Sequence, residues 1–416
     1  MTDKLRIRMY NVGFGDCFLI GLPDRRAILV DAGYHSQGRG KFSGGELAQQ
    51  VIADAEEWTG AKRVDVVVAT HRHQDHITTF NSADWDELSV GEVWLPWVED
   101  PENAAARKMW KKKQAFAETL AAALPSFHLA DDDKAAADFM LWNAGVGPPL
   151  FPGWSNAGAL ERLHGGFARR DRDKPRFLPR GEEFPETFET KALPGVKIHV
   201  LGPPRDPGLI GELDPEQDGE SYRAIALRAK ESTNALLSPF EPAWVVDDAA
   251  SQGAAPLDTE EIERLRDLAR TADPLFAARA LDDMINATSL VLVLQVGSAR
   301  LLLPGDAEWG TWKVILEDKT ARSLLRNTTF FKVGHHGSHN GTPKTLVEEI
   351  LPAKVKAMVS TQEGDGNYRN NIPLPDLLSA LEAHGVHAVR SDRDDPLPRG
   401  FVADEDQLWI DLELPC

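Results

Sequence analysis

Cysteine is almost absent from this chain, with only two residues in 416, and these two, Cys17 and Cys416, stand nearly a full chain length apart. This scarcity argues against a disulfide framework and against a cysteine-rich metal site. Any metal ion would therefore be held by histidine and carboxylate side chains. The sequence supplies 12 histidines and 65 aspartates and glutamates.

Long apolar segments are also missing. No apolar run reaches the roughly 18 to 20 residues that span a bilayer, and the first twenty residues contain no apolar segment followed by a small-residue cleavage site. We therefore expect a cytoplasmic protein with no membrane partner. Hydrophobic residues make up 42% of the chain and charged residues 27%, as in globular proteins. The length allows one large domain with insertions, or two domains.

Positive charge is in deficit, because 46 lysines and arginines face 65 acidic residues and leave a net charge of -19. A surface with this excess repels polyanions as a whole, which argues against non-specific binding of long nucleic acid. A local site could still accept one phosphate group or a short strand.

The stretch Val66–Ile77, VVVATHRHQDHI, carries the strongest functional signal. Its β-branched run predicts a buried strand, which ends in a loop with three histidines and a carboxylate within six positions. His71 and His73 are two residues apart, so in an extended loop both imidazoles can hold one cation. Asp75 and His76 follow where the chain should turn into a helix, and they face a second point. This is the layout of a two-metal hydrolytic site, and a polar loop with histidines in chance positions is the alternative.

THRHQDHI resembles the HxHxDH signature of metallo-β-lactamase-fold hydrolases. Later segments resemble one branch of them, the soluble hydrolase domain of the competence protein ComEC and its free-standing relatives. The similarity covers about residues 5–100 and 190–410. It implies an α/β fold, an αββα sandwich formed as a single domain over residues 1–416. We expect a helical insertion at 101–188 and a second insertion at 205–283.

The opening of the chain resembles the same branch. Residues 11–16, NVGFGD, are similar to its DVGQGD turn, with Asn11 and Phe14 in place of the usual Asp and Gln. The apolar run 27–30 then ends in Asp31-Ala32-Gly33, like the D-x-G of the family. The resemblance implies that Asp31 lies beneath the metal loop and orients it. A plain turn aspartate is the alternative.

The second half supplies further candidate residues by resemblance. Residues 286–296, NATSLVLVLQV, are similar to the N-x-x-S-L-V-L strand, and Asp306 in PGDAE is the expected bridging carboxylate. FFKVGHHGSH matches LKVGHHGS, so His335 is our preferred ligand of the second metal. His336 is either that ligand instead or a donor to the substrate oxyanion. Asn286 and Ser338 are expected to support the ligands or to contact substrate, and Ser338 could bind phosphate.

One departure from the family concerns the first metal. The segment VKIHVL leads into Gly202, where relatives carry a histidine that is the third ligand of this metal. His199 is a poor substitute because it lies three residues earlier on a strand and faces the other side. We expect the first site to keep two histidines and a bridging carboxylate. Its ion would then be weakly bound, absent, or bound with a water molecule in the vacant ligand position.

These assignments give an expected catalytic centre. One metal is bound by Asp75, His76, Asp306 and His335, and the other by His71, His73 and Asp306. The ligand set predicts two zinc ions, and manganese or iron also fit. The resemblance implies that a hydroxide held between the cations attacks a phosphodiester, with Asp75 and His336 in catalysis. Other ester, thioester or lactone hydrolases of the same fold remain alternatives, as does a metal-binding sensor or interaction protein without turnover.

The insertions carry weaker signals. Basic clusters at 107–113 and 169–176 indicate either a solvated face or a rim that guides phosphates, with Trp110 and Trp142 able to stack bases. His128 and His164 lack ligand spacing. Periodicity and end signals predict helices at 46–58, 103–124, 259–271 and 374–384. A polar loop at 364–371 contains Asn367 and Tyr368, which fit the closing pattern of the family. Nothing here indicates an oligomeric state.

Overall fold

The computed structural model describes residues 4–35, 40–124, 156–171, 174–213, 274–363, 372–393 and 396–416, with positions 134, 137, 138, 140, 141, 143, 144, 220 and 221. The predicted helix at 259–271 lies outside these residues. So do His128, Trp142, Asn367 and Tyr368.

The first sheet is built from strands at both ends of the chain. Its described strands are β1 Lys4–Tyr10, β2 Cys17–Gly21, β3 Ala27–Ala32, β4 Arg63–Val68, β5 Ser89–Pro96, β6 Arg169–Arg170, β7 Arg176–Leu178, β15 Phe401–Ala403 and β16 Trp409–Pro415. The order is β15-β16-β1-β2-β3-β4-β5-β6, and β7 also pairs with β5. Because β3, β4 and β5 run parallel, their carboxyl ends meet at one edge of the sheet.

The second sheet comes from the later part of the chain. Its strands are β8 Glu186–Thr190, β9 Leu193–Gly202, β10 Val291–Val296, β11 Ala299–Leu303, β12 Phe330–Lys332, β13 Lys356–Val359 and β14 Ala388–Arg390. They lie in the order β14-β13-β12-β11-β10-β9-β8. A tight turn at residues 297–298 joins β10 and β11 into a hairpin.

Helices cover the outer faces of both sheets. Those described are Gly44–Thr59, Gln74–Ile77, Ala104–Ala123, Asn156–Glu161, Pro207–Ile210, Pro274–Asn286, Trp309–Glu317, Lys319–Leu325 and Pro375–Ala383. Ser43 begins the first of them with a capping box to Glu46. No helix in the described ranges combines the length and apolarity needed to cross a bilayer.

Three apolar clusters hold the layers together. Leu5, Ile7 and Met9 of β1 face the second sheet in the central cluster, as the alternation of this strand predicts. The neighbouring strands β3 and β4 are apolar on both faces, because the helix Gly44–Thr59 covers the other side. A third cluster packs the helices Trp309–Glu317 and Pro375–Ala383 on the second sheet. The predicted αββα sandwich is confirmed.

The two regions that we expected to be insertions pack against each other. Ala117, Leu120 and Leu141 from the first region share an apolar cluster with Ala278 and Leu281 of the helix Pro274–Asn286. The region 101–188 also contributes β6, β7 and the start of β8 to the sheets. Glu186, Phe188 and Thr190 of β8 are buried and the residues between them are exposed. This alternation is typical of a strand with one buried face.

Part of the expected basic rim is buried. Lys113 is only 8% exposed, and its Nζ donates to the carbonyl of Met284, 2.5 Å away. Trp110 donates to the carbonyl of Val98, and the guanidinium of Arg72 lies 3.3 Å from the centre of its ring. A solvated face is therefore the wrong interpretation for Lys113. Trp110 packs the insertion against the metal loop instead of offering an open platform to bases.

Candidate metal centre

The loop after β4 lies against the end of β3. A β-carbon at Gly33 would lie 2.4 Å from the backbone nitrogen of His76, so only glycine permits this close approach. The backbone N–H of Asp16 donates to the carbonyl of Asp75 and fixes the same loop from the β1–β2 turn. His73 then begins the short helix Gln74–Ile77, which carries Asp75 and His76.

Asp31 lies beneath this loop. Its carboxylate accepts from the backbone N–H and the hydroxyl of Thr70, at 2.7 and 2.8 Å, and from Nδ1 of His76 at 2.8 Å. Asp31 has a φ of +55°, a conformation that is uncommon outside glycine. Three hydrogen bonds to one buried carboxylate hold both the loop and the ring of His76.

In several histidines the ring nitrogen that points away from the centre, here called the outward nitrogen, is hydrogen-bonded to the protein. Nδ1 of His76 donates to Asp31, and Nδ1 of His336 donates to the carbonyl of Ser360, 3.0 Å away. The Thr70 hydroxyl gives its single hydrogen to Asp31, so it can only accept from Nδ1 of His71 at 3.2 Å. Each ring therefore carries a proton on Nδ1 and turns Nε2 inward, and the neutral form of the ring would present a lone pair there.

The inward atoms converge on a shared space. Asp75, His76, Asp306 and His336 each offer one ligand atom, and these four atoms lie within 4.8 Å of one another. Nε2 of His76 is 3.2 Å from Asp306 Oδ2, and Nε2 of His336 is 3.2 Å from Asp75 Oδ2. These distances suit a proton on Nε2 or a metal ion in its place, and a divalent cation there would bind the nitrogen and the oxygen together. The residues therefore fit a metal ion.

A second pair of histidines faces the same region. Nε2 of His71 lies 3.0 Å from Nδ1 of His73, and both side chains are buried. Burial lowers the pKa of His71 well below its ordinary value, and neighbouring His76 and His73 lower it further. His71 is therefore a neutral imidazole, the form that binds metals. These two rings fit the first metal position expected from their spacing.

His335 and His336 differ in what surrounds them. Nδ1 of His335 lies 3.1 Å from the side-chain oxygen of Asn340, and its Nε2 lies 3.3 Å from the amide nitrogen of Asn286. Both ring nitrogens of His335 therefore have protein partners, and its Nε2 is 3.9 Å from Asp306. The four-residue cluster contains His336, not the His335 that we preferred from the sequence. The geometry favours His336, the alternative ligand.

Buried charge sets the electrostatics of the centre. Asp16, Asp31, Asp75 and Asp306 are buried together, and Lys332 forms ion pairs with Asp16 and with Asp306, the latter at 3.4 Å. Burial lowers the pKa of His336, but Asp306 and Asp16 outweigh burial and raise it to about 10. Burial acts to raise the pKa of Asp75, yet His76 and His336 hold it well below its ordinary value. Such carboxylates require compensating positive charge, which divalent cations supply.

Asp16 and Lys332 were not singled out from the sequence. Both stand inside motifs that carried the resemblance, the NVGFGD turn and FFKVGHHGSH. The sequence signal was a charged residue at the border of a buried strand, which is unusual unless the charge is paired. The ion pair between the two residues links the first sheet to the second beneath the metal centre.

Neither Ser338 nor His199 belongs to the four-residue cluster. The hydroxyl of Ser338 donates to Asn340 at 2.9 Å and the side chain is buried, so its hydrogen already has an acceptor in the protein. His199 lies 2.9 Å from the hydroxyl of Thr187 across β8 and β9. Asn286 reaches the centre through His335.

Gly202 leaves no room for a histidine. A β-carbon at this position would lie 2.6 Å from Cγ2 of Thr311 and 3.1 Å from Cγ2 of Val291. Thr311 belongs to the helix Trp309–Glu317, so the missing side chain would point at packed protein. The local packing therefore accounts for a glycine at this position.

A family model described as the metallo-beta-lactamase superfamily matches residues 10–132. This segment contains Asp31 and the loop from His71 to His76 but ends before Asp306 and His336. No curated protein matches the chain. The fold is that of a metallo-β-lactamase domain, and the match together with the His/Asp cluster suggests a metal-dependent hydrolase.

Proposed function

We propose that this protein is a metal-dependent phosphodiesterase that acts on small phosphodiesters or short nucleic acids. One observation supports the hydrolytic centre: the buried rings of His76 and His336 bind protein oxygens through Nδ1 and turn Nε2 toward Asp75 and Asp306. His335 differs from these rings, because its Nδ1 faces the side-chain oxygen of Asn340 and its Nε2 faces the amide nitrogen of Asn286. Four histidines and two aspartates would suit zinc, manganese or iron.

The residues of this chain would have the following roles. Asp75, His76, Asp306 and His336 would hold one cation, and His71 with His73 would hold the other beside Asp306. When bound, two cations would acidify a water molecule and offset the negative charge that develops on the substrate. Asp31 fixes His76, and Lys332 anchors Asp306 from below.

His335 would face the substrate. Its side chain is 14% exposed, compared with 0% for His76 and His336, so it lies at the open side of the centre. Asn286 and Asn340 hold its ring in one orientation. A fixed imidazole at this rim could contact the leaving group or the phosphoryl group of a substrate. The resemblance of the HHGS loop to ComEC-type hydrolases supports a phosphodiester over other substrates.

The test compares three classes of activated substrate. Zinc-loaded and manganese-loaded protein would be assayed with bis(p-nitrophenyl) phosphate, a thioester and a lactone, with Asp306→Asn as the isosteric control. We expect cleavage of the phosphodiester and its loss in Asp306→Asn, with unchanged circular dichroism. Preference for the thioester or lactone would assign a different hydrolase of this fold. Metal binding without turnover of any of the three would contradict the enzymatic proposal.

A further inference from the structure

We propose that Asp282, on the helix that closes the second insertion, positions His73 and thereby completes the first metal site. Oδ1 of Asp282 lies 3.1 Å from Nε2 of His73. His73 is buried, and its Nε2 makes no aligned hydrogen bond within the part of the chain that the structure describes. The carboxylate of Asp282, which is 15% exposed, is at this distance the natural acceptor for a proton on Nε2.

A proton on Nε2 of His73 decides what Nδ1 can do. A neutral imidazole carries one proton, so Nδ1 then keeps its lone pair. That Nδ1 is the atom 3.0 Å from Nε2 of His71. The Thr70 hydroxyl leaves Nε2 of His71 unprotonated, so with a neutral His73 two lone pairs face each other across this gap. A metal ion between the two nitrogens would then bind both.

Asp282 also completes a pattern. His71, His76 and His336 each have an oxygen at the outward nitrogen, from Thr70, Asp31 and the carbonyl of Ser360. His73 is the remaining ring of the proposed ligand set, and Asp282 is the oxygen at its outward side. Outward partners of this kind orient the ring and increase its basicity as a ligand. None of the patterns used to read the sequence includes this aspartate.

Both insertions contribute to the contact. Asp282 Oδ1 accepts from the amide nitrogen of Asn143, 3.1 Å away in the first insertion. Lys113 from the same insertion binds the carbonyl of Met284, two residues along the helix. Asn286, one turn after Asp282, reaches His335 from the same helix. The paired insertions therefore hold the helix in the register that brings Asp282 to His73.

The experiment measures zinc content and zinc affinity, and it rests on the proposed metal centre. Wild-type protein, Asp282→Ala, Asp282→Asn and Asp283→Asn would be stripped, reloaded and titrated against a competing chelator. Asp283→Asn makes the same charge change one residue further along the helix and is the matched control. Circular dichroism and the melting temperature of the metal-free proteins would establish that each variant folds.

We expect Asp282→Ala to weaken binding of one of two ions by about 10- to 100-fold, the usual effect of removing such a partner. Asp282→Asn should lose less, because an amide oxygen still accepts from Nε2, and Asp283→Asn should match the wild type. Equal affinity in wild type and Asp282→Ala would overturn the inference. Complete and equal loss of one ion in both Asp282 variants would also overturn it, because a direct ligand behaves in that way. If the wild type binds none of zinc, manganese or iron, the proposed function itself fails.

Discussion

The histidines of this centre differ from one another in backbone conformation as well as in partners. His335 and His336 have φ values of +47° and +51°, and Asp31 has +55°. Non-glycine residues rarely adopt this region, and such strain is usually retained at functional sites. In the HHGS loop the two strained residues turn successive rings in different directions. The ring of His336 enters the Asp75–Asp306 cluster, and the ring of His335 stays at its rim.

At the residue scale we predict that substitutions of His335 and His336 affect metal binding and turnover differently. Asparagine tolerates a positive φ, so His335→Asn and His336→Asn change the side chain without forcing the turn to refold. His336→Asn should weaken metal binding by more than about 100-fold, beyond the loss typical of residues that only orient a ligand. His335→Asn should keep the metal content and lower kcat. Metal analysis alongside steady-state kinetics gives both quantities.

The two variants serve as controls for each other. Loss of metal from His335→Asn with retention in His336→Asn would restore His335 as the ligand. Equal metal content in both would mean that neither histidine binds the ion. Circular dichroism would exclude unfolding as the cause of any loss.

At the scale of secondary structure elements, the helix Ala104–Ala123 joins the insertions to the metal loop through a buried lysine. Lys113 donates to Met284 on the helix Pro274–Asn286, and its Nζ lies 4.8 Å from the ring centre of Trp110. Burial lowers the pKa of Lys113 to about 7, aided by the nearby charge of Arg72. Burying a cation at this position therefore costs free energy. A neutral amine avoids this cost and can still donate a hydrogen bond to a carbonyl.

This pKa predicts a pH-dependent stability. The ordinary pKa is 10.5, so between pH 7 and 10.5 the unfolded chain holds a proton that folded Lys113 has lost. Stability must then increase with pH in this window, by up to about 1.4 kcal/mol per pH unit. We expect the free energy of unfolding of the wild type, minus that of Lys113→Met, to rise from pH 7 to pH 9.5. Urea titrations at constant ionic strength measure this difference.

Lys111→Met, at an exposed position of the same helix, is the control for loss of a lysine. A difference between wild type and Lys113→Met that stays constant with pH would show that Lys113 remains charged when folded. That outcome would also remove the neutral amine from the contact with Met284.

At the scale of the whole molecule, a net charge of -19 surrounds a site that we propose binds phosphodiesters. The basic rim that could have guided a long strand is reduced, because Lys113 is buried and Trp110 packs on Arg72. A substrate would then be held mainly by the metal centre, which interacts with only one or two phosphates. Long duplexes would meet repulsion from the remaining surface.

We therefore predict a weak salt dependence. Between 50 and 200 mM salt, kcat/KM for a dinucleotide should change by less than about threefold, whereas a ligand that makes 6–10 phosphate contacts loses about 10³–10⁵ in affinity. Initial rates on a dinucleotide, a short single strand and a kilobase duplex give the comparison. Rapid digestion of the duplex with a steep salt slope would show that an extended cationic surface binds nucleic acid.

Local sequence patterns were sufficient to predict much of the structure of this protein. The alternation in β1 predicts which side chains enter the core, and the glycine between β10 and β11 predicts a hairpin. The spacing from His71 to His76 predicts a metal loop at the end of a strand, since these residues are neighbours in sequence and their geometry follows from the backbone. Such features depend on interactions within a few residues, so they can be recognised without the fold.

Other features depended on contacts between distant segments. The choice between His335 and His336 rests on Asn286, Asn340 and the carbonyl of Ser360, and the role of Asp282 rests on a loop more than two hundred residues earlier. Sequence alone determined the strand, the loop and the types of ligand. The tertiary structure decided which nitrogen of each ring is free to bind, because that depends on the partner that packing brings to the other nitrogen.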